Sequence, residues 1–183
     1  MKRLAIILGL LITCIITANF VIGVDQANSI AANKPNTRAD GSKWRIGYCE
    51  SENFITYPQT LAAIVRGLNE IGWISNLEGF ELVAKSSNSM VIWHWLATRE
   101  VSPYIEFVDN AAYNLRDADF DREALANRLK NEKDIDLMLV MGAAAGNLLS
   151  NADHDTNIFV FAASNAVRSG IIASAEDSGK DNV

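Results

Sequence analysis

The sequence predicts an α/β fold: a doubly wound parallel sheet of about four strands, in the order 2-1-3-4, flanked by helices. The first observation is a short apolar segment, residues 135–141, which is typical of a strand buried on both faces. The second is the run of small residues at 142–146, which indicates a sharp turn from that strand into a helix. The third is the alternation of apolar segments with helical patterns, which favours parallel strands joined by helices.

Four strands are predicted from apolar segments, at residues 44–49, 103–108, 135–141 and 158–162. We also expect a short extra strand at residues 79–84 and a loop at 110–118. The order of the sheet reverses between the first strand and the strand at 135–141. A ligand is therefore expected at the loops that leave the carboxyl ends of the strands, at residues 50–57, 141–145 and 164–165.

Helices are predicted where apolar residues recur at helical spacing. The first begins near Pro58 and ends at Gly72, and its apolar face is formed by Leu61, Ile64, Val65, Leu68 and Ile71. The second is capped within residues 86–88 and runs to about Thr98. It is apolar on nearly all sides over residues 90–96, which indicates either packing between other elements or a contact surface for a partner.

A third helix is predicted to begin at Asp119 or Asp121, with three residues facing inward: Ala124, Leu125 and Leu129. A fourth follows the turn at residue 142 and runs to about Asn151. These helices complete the strand–helix alternation.

The N-terminus resembles a targeting segment. Lys2 and Arg3 precede an apolar run, so residues 1–31 are predicted to be a secretory signal peptide, which implies a periplasmic or other extracytoplasmic protein. The alternative is that residues 4–24 remain as a membrane anchor. Residues 32–42 are predicted to be a polar, disordered linker.

Charge and cysteine content exclude several classes of protein. The net charge is −6 and no basic cluster follows the N-terminus, so nucleic acid is not an expected partner. Only Cys14 and Cys49 are present, which is too few for a disulfide framework or a cysteine metal site. Cys49 is expected to be a buried, inert thiol.

No arrangement of residues typical of a catalytic site is found, so the chain is predicted not to be an enzyme and to need no cofactor. A Gly-x-Ser-x-Gly motif is absent, and no base is evident for Ser51. His94 lies in the tryptophan-rich helix and is expected to be structural. His154, between Asp153 and Asp155, is expected in a solvated surface loop rather than at a metal.

Several motifs together resemble one family. They are Arg45-Ile46-Gly47-Tyr48 with Glu50-Ser51, Tyr57 with the helix to Gly72, Asp136-Leu137 through Gly142, and the run from Ser164-Asn165 to Ile171. This combination is similar to the substrate-binding proteins of bacterial ABC importers that have a type I periplasmic-binding-protein fold. Three positions depart from the family pattern: Ala143 replaces a threonine, and Asn165-Ala166 replace Asp-Pro.

The resemblance implies one lobe of a two-lobed binding protein. Residues 43–175 would form the solute-binding lobe, and residues 176–183 would begin the crossing to a second lobe. Family members trap a solute between two lobes by hinge closure. A second chain would supply the missing wall, and an ABC-transporter permease would be the partner.

The predicted function is binding of a small organic solute, for which an amino acid is one candidate. The predicted ligand-binding residues are Glu50, Ser51, Asn53, Tyr57, Gly142, Ala143, Ser164 and Asn165. Tyr57 is expected to stack on the ligand, Ser51 and Ser164 to donate hydrogen bonds, and the N–H groups of Ala143 and Ala144 to hold a carboxylate. The alternatives are a membrane-tethered sensor or adaptor and a non-functional fragment.

Overall fold

A computed structural model of the protein describes residues 37–183. The predicted targeting segment and residues 32–36 of the predicted linker lie outside the described residues. The strands are β1 (Trp44–Glu50), β2 (Ile105–Asn114), β3 (Leu137–Met141) and β4 (Asn157–Phe161). The helices are α1 (Tyr57–Glu70), α2 (Phe80–Val83), α3 (Ser89–Ala97), α4 (Arg122–Asn127) and α5 (Ala143–Ser150). A π-helical turn, Arg128–Glu132, follows α4.

The four strands form one parallel sheet in the order β2-β1-β3-β4. This confirms the predicted fold class and strand order. Ile46 pairs with Leu137 across the centre of the sheet, and Met138 pairs with Ile158 at the β3–β4 boundary. The carboxyl ends of all four strands therefore lie along the same edge.

Each face of the sheet has its own hydrophobic core, because successive side chains of a strand point to opposite faces. Tyr48 and Leu139 pack with α1 and α3 on one face. Cys49 and Met138 pack with α4 and α5 on the other. Burial raises the pKa of the Cys49 thiol to about 12, which keeps it protonated and unreactive. The expectation of a buried thiol is confirmed.

Helix α3 is apolar on most sides because it is packed on most sides. The Trp93 ring lies between Tyr48 and Phe107, at 5.3 Å from each ring centroid, and its Nε1 donates to the Val108 carbonyl at 3.0 Å. Asn88 caps the helix by accepting from the Met90 N–H at 2.8 Å. Within residues 90–96, four side chains are buried in the core: Ile92, Trp93, Trp95 and Leu96. The packing interpretation therefore accounts for most of this helix.

Two element predictions were wrong. Residues 79–84 form the short helix α2, because the Ala84 N–H bonds to the Phe80 carbonyl and no strand lies alongside. Residues 110–118 are not all loop, since β2 continues to Asn114. Pairing with β1 is interrupted after Phe107 and resumes at Ala112, so β2 carries extra residues at an irregularity. The exposed polar residues at this irregularity resemble a loop in sequence.

Three smaller expectations also need correction. Ala124 is exposed, because α4 is only six residues long and turns one narrow face, with Leu125, to the core. Residues 37–42 are an ordered turn: the Arg38 carbonyl accepts from the Gly41 N–H, and the Arg38 guanidinium binds the Asp136 carboxylate at 2.6 Å. His154 is buried rather than solvated.

No helix within residues 37–183 is long and apolar enough to cross a membrane.

Candidate functional site

The ends of β1, β3 and β4 meet at one edge of the sheet. The Ser51 N–H, just after β1, donates to the Met141 carbonyl at 2.9 Å. The Gly142 N–H, just after β3, donates to the carbonyl of Phe161 at 2.8 Å, and Phe161 is the last residue of β4. These hydrogen bonds hold the beginnings of the first two predicted ligand loops beside the end of β4, from which the third loop follows.

Ser51 caps helix α5 from a neighbouring strand. Gly142 occupies the N-cap position and has no side chain that could accept a hydrogen bond. The Ser51 Oγ takes that role: it accepts from the Ala145 N–H at 2.9 Å and donates to the Met141 carbonyl at 3.1 Å. Ser51 is therefore occupied in holding the β3–α5 turn, and is not the free donor expected from the sequence.

Gly142 is required by both its conformation and its surroundings. Its φ of 89° and ψ of 164° lie in a region that only glycine adopts readily. A Cβ atom at this position would lie 2.0 Å from the Tyr57 hydroxyl oxygen and 2.7 Å from the Ser51 Oγ. The space above the turn is therefore filled by the Tyr57 hydroxyl.

Tyr57 is buried, so its ring does not present a stacking face to a ligand. Burial raises the pKa of the Tyr57 phenol, and a hydrogen bond with Ser51 opposes that rise. The exposed ring at this edge belongs to Phe54, which is 51% exposed and lies 5.4 Å from the Tyr57 ring. Ile55 beside it is also exposed. Sequence reasoning missed this pair, although two apolar residues in a loop were a visible signal.

Glu50 is the last residue of β1 and is completely buried. Its Oε2 accepts from the Tyr48 hydroxyl at 2.7 Å and its Oε1 accepts from the Asn114 Nδ2 at 2.8 Å. Burial raises the pKa of this carboxyl, while the hydrogen bonds from Tyr48, Ser89 and Asn114 oppose the rise. Glu50 therefore supports the edge from within and does not face a ligand.

Asn53 lies at the surface above this network. Its Oδ1 accepts from the Asn114 Nδ2 at 3.2 Å, and the residue as a whole is exposed. The Asn53 amide nitrogen therefore faces solvent near the end of β2. Asn114 joins Glu50 and Asn53, and the sequence alone did not suggest it because it lies 61 positions from Asn53.

The first two residues of α5 follow Gly142 directly, and Ala143 is half-buried while Ala144 is exposed. A helix leaves its first N–H groups without intrahelical partners. Ser51 takes the N–H of Ala145, and the Gly146 N–H bonds to the Gly142 carbonyl at 3.0 Å. The N–H groups of Ala143 and Ala144 form no hydrogen bond within residues 37–183. This pair is suited to an anion such as a carboxylate.

The third loop contributes exposed polar groups. Ser164 and Asn165 are both exposed and follow β4 by three and four residues. The Asn165 Oδ1 accepts from the Arg168 N–H at 2.8 Å, so this oxygen shapes its own turn. The Ser164 hydroxyl is accessible to a ligand at this edge.

Other candidate sites are less suited to a ligand. A cavity of about 420 Å³ near the end of β2 is lined in part by Arg128, Tyr113 and Asp117. The Arg128 guanidinium is already bound by Asp134, by the Tyr113 hydroxyl and by Asn110, which leaves little capacity for an anion. Within residues 37–183, no group of three or more His, Cys, Asp or Glu side chains is placed to hold a metal ion.

Comparisons of the chain with models of known protein families, with curated proteins and with solved structures found no match. A function is inferred from the geometry of the site. Its main feature is the pair of N–H groups at Ala143 and Ala144, which have no hydrogen-bond partner within residues 37–183 and lie near the loops that leave β1, β3 and β4.

Proposed function

We propose that this protein binds a small organic solute carrying a carboxylate, such as an amino acid, as the substrate-binding component of an ABC-type importer. The observation that carries the proposal is the pair of N–H groups at Ala143, which is half-buried, and Ala144, which is exposed, because neither forms a hydrogen bond within residues 37–183. They lie where loops from three strands meet, and Ser51 holds the turn below them. Open α/β sheets bind ligands at this edge.

The groups around this helix end suit the rest of such a solute. The Asn53 amide nitrogen and the Ser164 hydroxyl are exposed donors at the same edge. Phe54 and Ile55 offer apolar surface beside them. These groups form one wall of a cleft, so a second wall from another lobe or chain would be needed to enclose the solute and to give high affinity.

Binding is proposed rather than catalysis because the polar groups closest to the turn are engaged with the protein itself. The Ser51 Oγ is bound to Met141 and Ala145, and Glu50 is bound to Tyr48 and Asn114. The two histidines of the chain are placed elsewhere: His94 of α3 pairs with Asp109 of β2, and His154 follows α5. No base therefore reaches Ser51 within residues 37–183.

Ala143→Pro tests the proposal, because proline removes one N–H group while tolerating the first position of a helix. The ψ of 164° at Gly142 is close to the range that a residue before proline adopts. We expect the variant to bind a carboxylate solute about tenfold more weakly or worse, since a hydrogen bond to a charged group contributes about 1.5–3 kcal/mol. The measurement is isothermal titration of the full chain with amino acids and small organic acids.

Ala143→Ser is the matched control, because it keeps the N–H group at the same position. It should bind as the wild-type protein does. Equal affinity in all three proteins would overturn the carboxylate site, and the absence of heat with every solute would overturn the proposed function itself.

A further inference from the structure

The His154 ring is buried without hydrogen-bond partners. The residue lies in the turn between α5 and β4 and is only 9% exposed. Neither Nδ1 nor Nε2 has a partner within residues 37–183, and both atoms are shielded from solvent. A neutral imidazole carries one donor and one acceptor, and leaving a buried polar group unpaired costs about 1–3 kcal/mol. Such a group in a native fold requires an explanation.

The charged groups around His154 do not compensate a positive ring. Asp153 and Asp155 flank it, but their carboxylates are largely exposed and are bound to Lys130 and Lys133 of the π-helical turn and the residue after it. Helix α5 and strand β4 carry no charged side chains. Burial lowers the pKa of His154, and the backbone groups of Leu149 and Thr156 together with the carboxylates of Asp155 and Asp153 offset that effect only in part.

The segment of residues 178–183 lies against the same turn, and we call it the strap. Its Asn182 carbonyl accepts from the Ile158 N–H of β4 at 2.8 Å, and the Asn182 Nδ2 donates to the His154 carbonyl at 3.4 Å. The Lys180 ammonium of the strap is bound by Ser150 and Asn151 at 3.0 Å each. The strap therefore adds a cation, Lys180, and an anion, Asp181, to the charges near this turn.

We propose that His154 makes closure of the strap on β4 dependent on pH, with the strap held while the ring is neutral and released when the ring takes up a proton. A charged imidazole in this buried position loses its hydration, and the backbone groups of Leu149 and Thr156 and the flanking carboxylates compensate that loss only in part. Opening the turn at residues 151–156 restores that hydration, and it breaks the contacts of Asn182 with His154 and Ile158.

The direction follows from proton linkage. The closed state binds a proton on His154 more weakly than the open state, whose imidazole has the ordinary pKa of about 6.5. Closure is therefore fully stable above that pH and weakens as pH falls below it. Uptake of one proton limits the change to about tenfold per pH unit. This turn is at the amino end of β4, so the inference is independent of the solute site at the opposite edge.

Amide hydrogen exchange in the full chain tests the proposal. We expect the protection factor of the Ile158 amide to fall by up to about tenfold per pH unit below pH 6.5, with the Val140 amide of the central strand β3 as the reference. In His154→Phe, which has a ring but no proton to take up, Ile158 should stay protected. His94→Asn changes the other histidine of the chain and should behave as the wild-type protein does.

A second measurement applies even when His154→Phe does not fold. The chain has two histidines, so the ring proton of His154 can be followed by NMR in the wild-type protein. We expect the His154 signal to titrate together with the loss of Ile158 protection. Titration of His154 while Ile158 remains fully protected, or equal loss of protection in His154→Phe, would overturn the proposal.

Discussion

At the residue scale, the edge of the sheet depends on the fit between Gly142, Ser51 and Tyr57. Gly142 brings the backbone under the Tyr57 hydroxyl, and Ser51 supplies the cap that a glycine cannot. Ser51 follows β1, Tyr57 begins α1 and Gly142 follows β3, but the three residues pack together at the β3–α5 turn. Their roles are mainly structural, although the sequence pattern predicted ligand contacts for all three.

Gly142→Ala should destabilise the protein by about 3 kcal/mol or more, because it adds a steric clash with Tyr57 to the backbone strain of about 1–3 kcal/mol. The measurement is urea denaturation. Gly67→Ala is the control: Gly67 lies inside α1 with no atom within 4 Å of a new Cβ, and alanine there should stabilise by about 0.5–1 kcal/mol. A loss below about 1 kcal/mol in Gly142→Ala would contradict the close packing of this turn.

At the scale of elements, a buried polar network ties the end of β1 to the end of β2. Glu50 accepts from Tyr48 of its own strand and from Asn114 of the neighbouring strand, and Asn114 continues to Asn53. No cation lies within ion-pair distance of Glu50 among residues 37–183. The network therefore holds a carboxyl group whose ionised form is disfavoured by burial.

Glu50→Gln should become more stable relative to the wild-type protein as pH rises from 4 to 8. The pKa of Glu50 is raised in the folded state, so its stabilising contribution is complete below the ordinary value of about 4.3 and is lost as pH rises through the raised pKa. Urea denaturation across this pH range gives the difference. Glu52→Gln, an exposed neighbour, should run parallel to the wild type. A constant or shrinking difference for Glu50→Gln would contradict the assignment.

A second link between elements lies at the opposite edge of the sheet. Asp136, just before β3, binds the guanidinium of Arg45 in β1 at 2.9 Å and that of Arg38 in the preceding turn at 2.6 Å. It also accepts from the Arg45 N–H at 2.8 Å. Although burial opposes it, these hydrogen bonds hold the pKa of Asp136 below its ordinary value.

Asp136→Asn should cost about 2–3 kcal/mol, because it leaves the partly buried Arg45 guanidinium without its ion-pair partner and leaves Arg38 only the more distant carboxylate of Asp40. The matched control is Glu81→Gln, which breaks the exposed pair with Arg66 and should cost less than about 1 kcal/mol. The measurement is the free energy of unfolding at pH 7. Equal costs in the two variants would show that burial does not strengthen the Asp136 cluster.

At the scale of the whole molecule, the sheet separates two cores and presents two different edges. The edge at the carboxyl ends of the strands carries the N–H groups of Ala143 and Ala144, which are unpaired within residues 37–183 and form the proposed solute site. The amino-end edge carries Asp136, with Arg38 and Arg45, and the His154 turn. Since the two edges share only the sheet between them, binding and strap closure are expected to vary independently.

Much of this architecture was predictable because it depends on local patterns. The apolar runs of β1 and β3 identify buried strands, and the spacing of Leu61 and Val65 identifies α1. The run of β4 also predicts a buried strand, but β4 is an outer strand of the sheet in which only Ile158 is buried and Phe159 is 57% exposed. The predictions were wrong where a long-range contact overrides the pattern: β2 continues past Phe107 because β1 resumes pairing with it at Ala112. Residues 79–84 were misassigned because a four-residue helix is too short to show a period.

The sequence by itself determined the sheet, its strand order and the edge at which the loops gather, since periodicity and short connections decide those features. Only the tertiary structure decided the state of each polar group at that edge. Glu50, Ser51 and Tyr57 look like ligand-binding residues in sequence, but partners up to 94 positions away occupy or bury them. Hydrogen bonding and burial are set by neighbours in space, and the order of residues along the chain does not specify those neighbours.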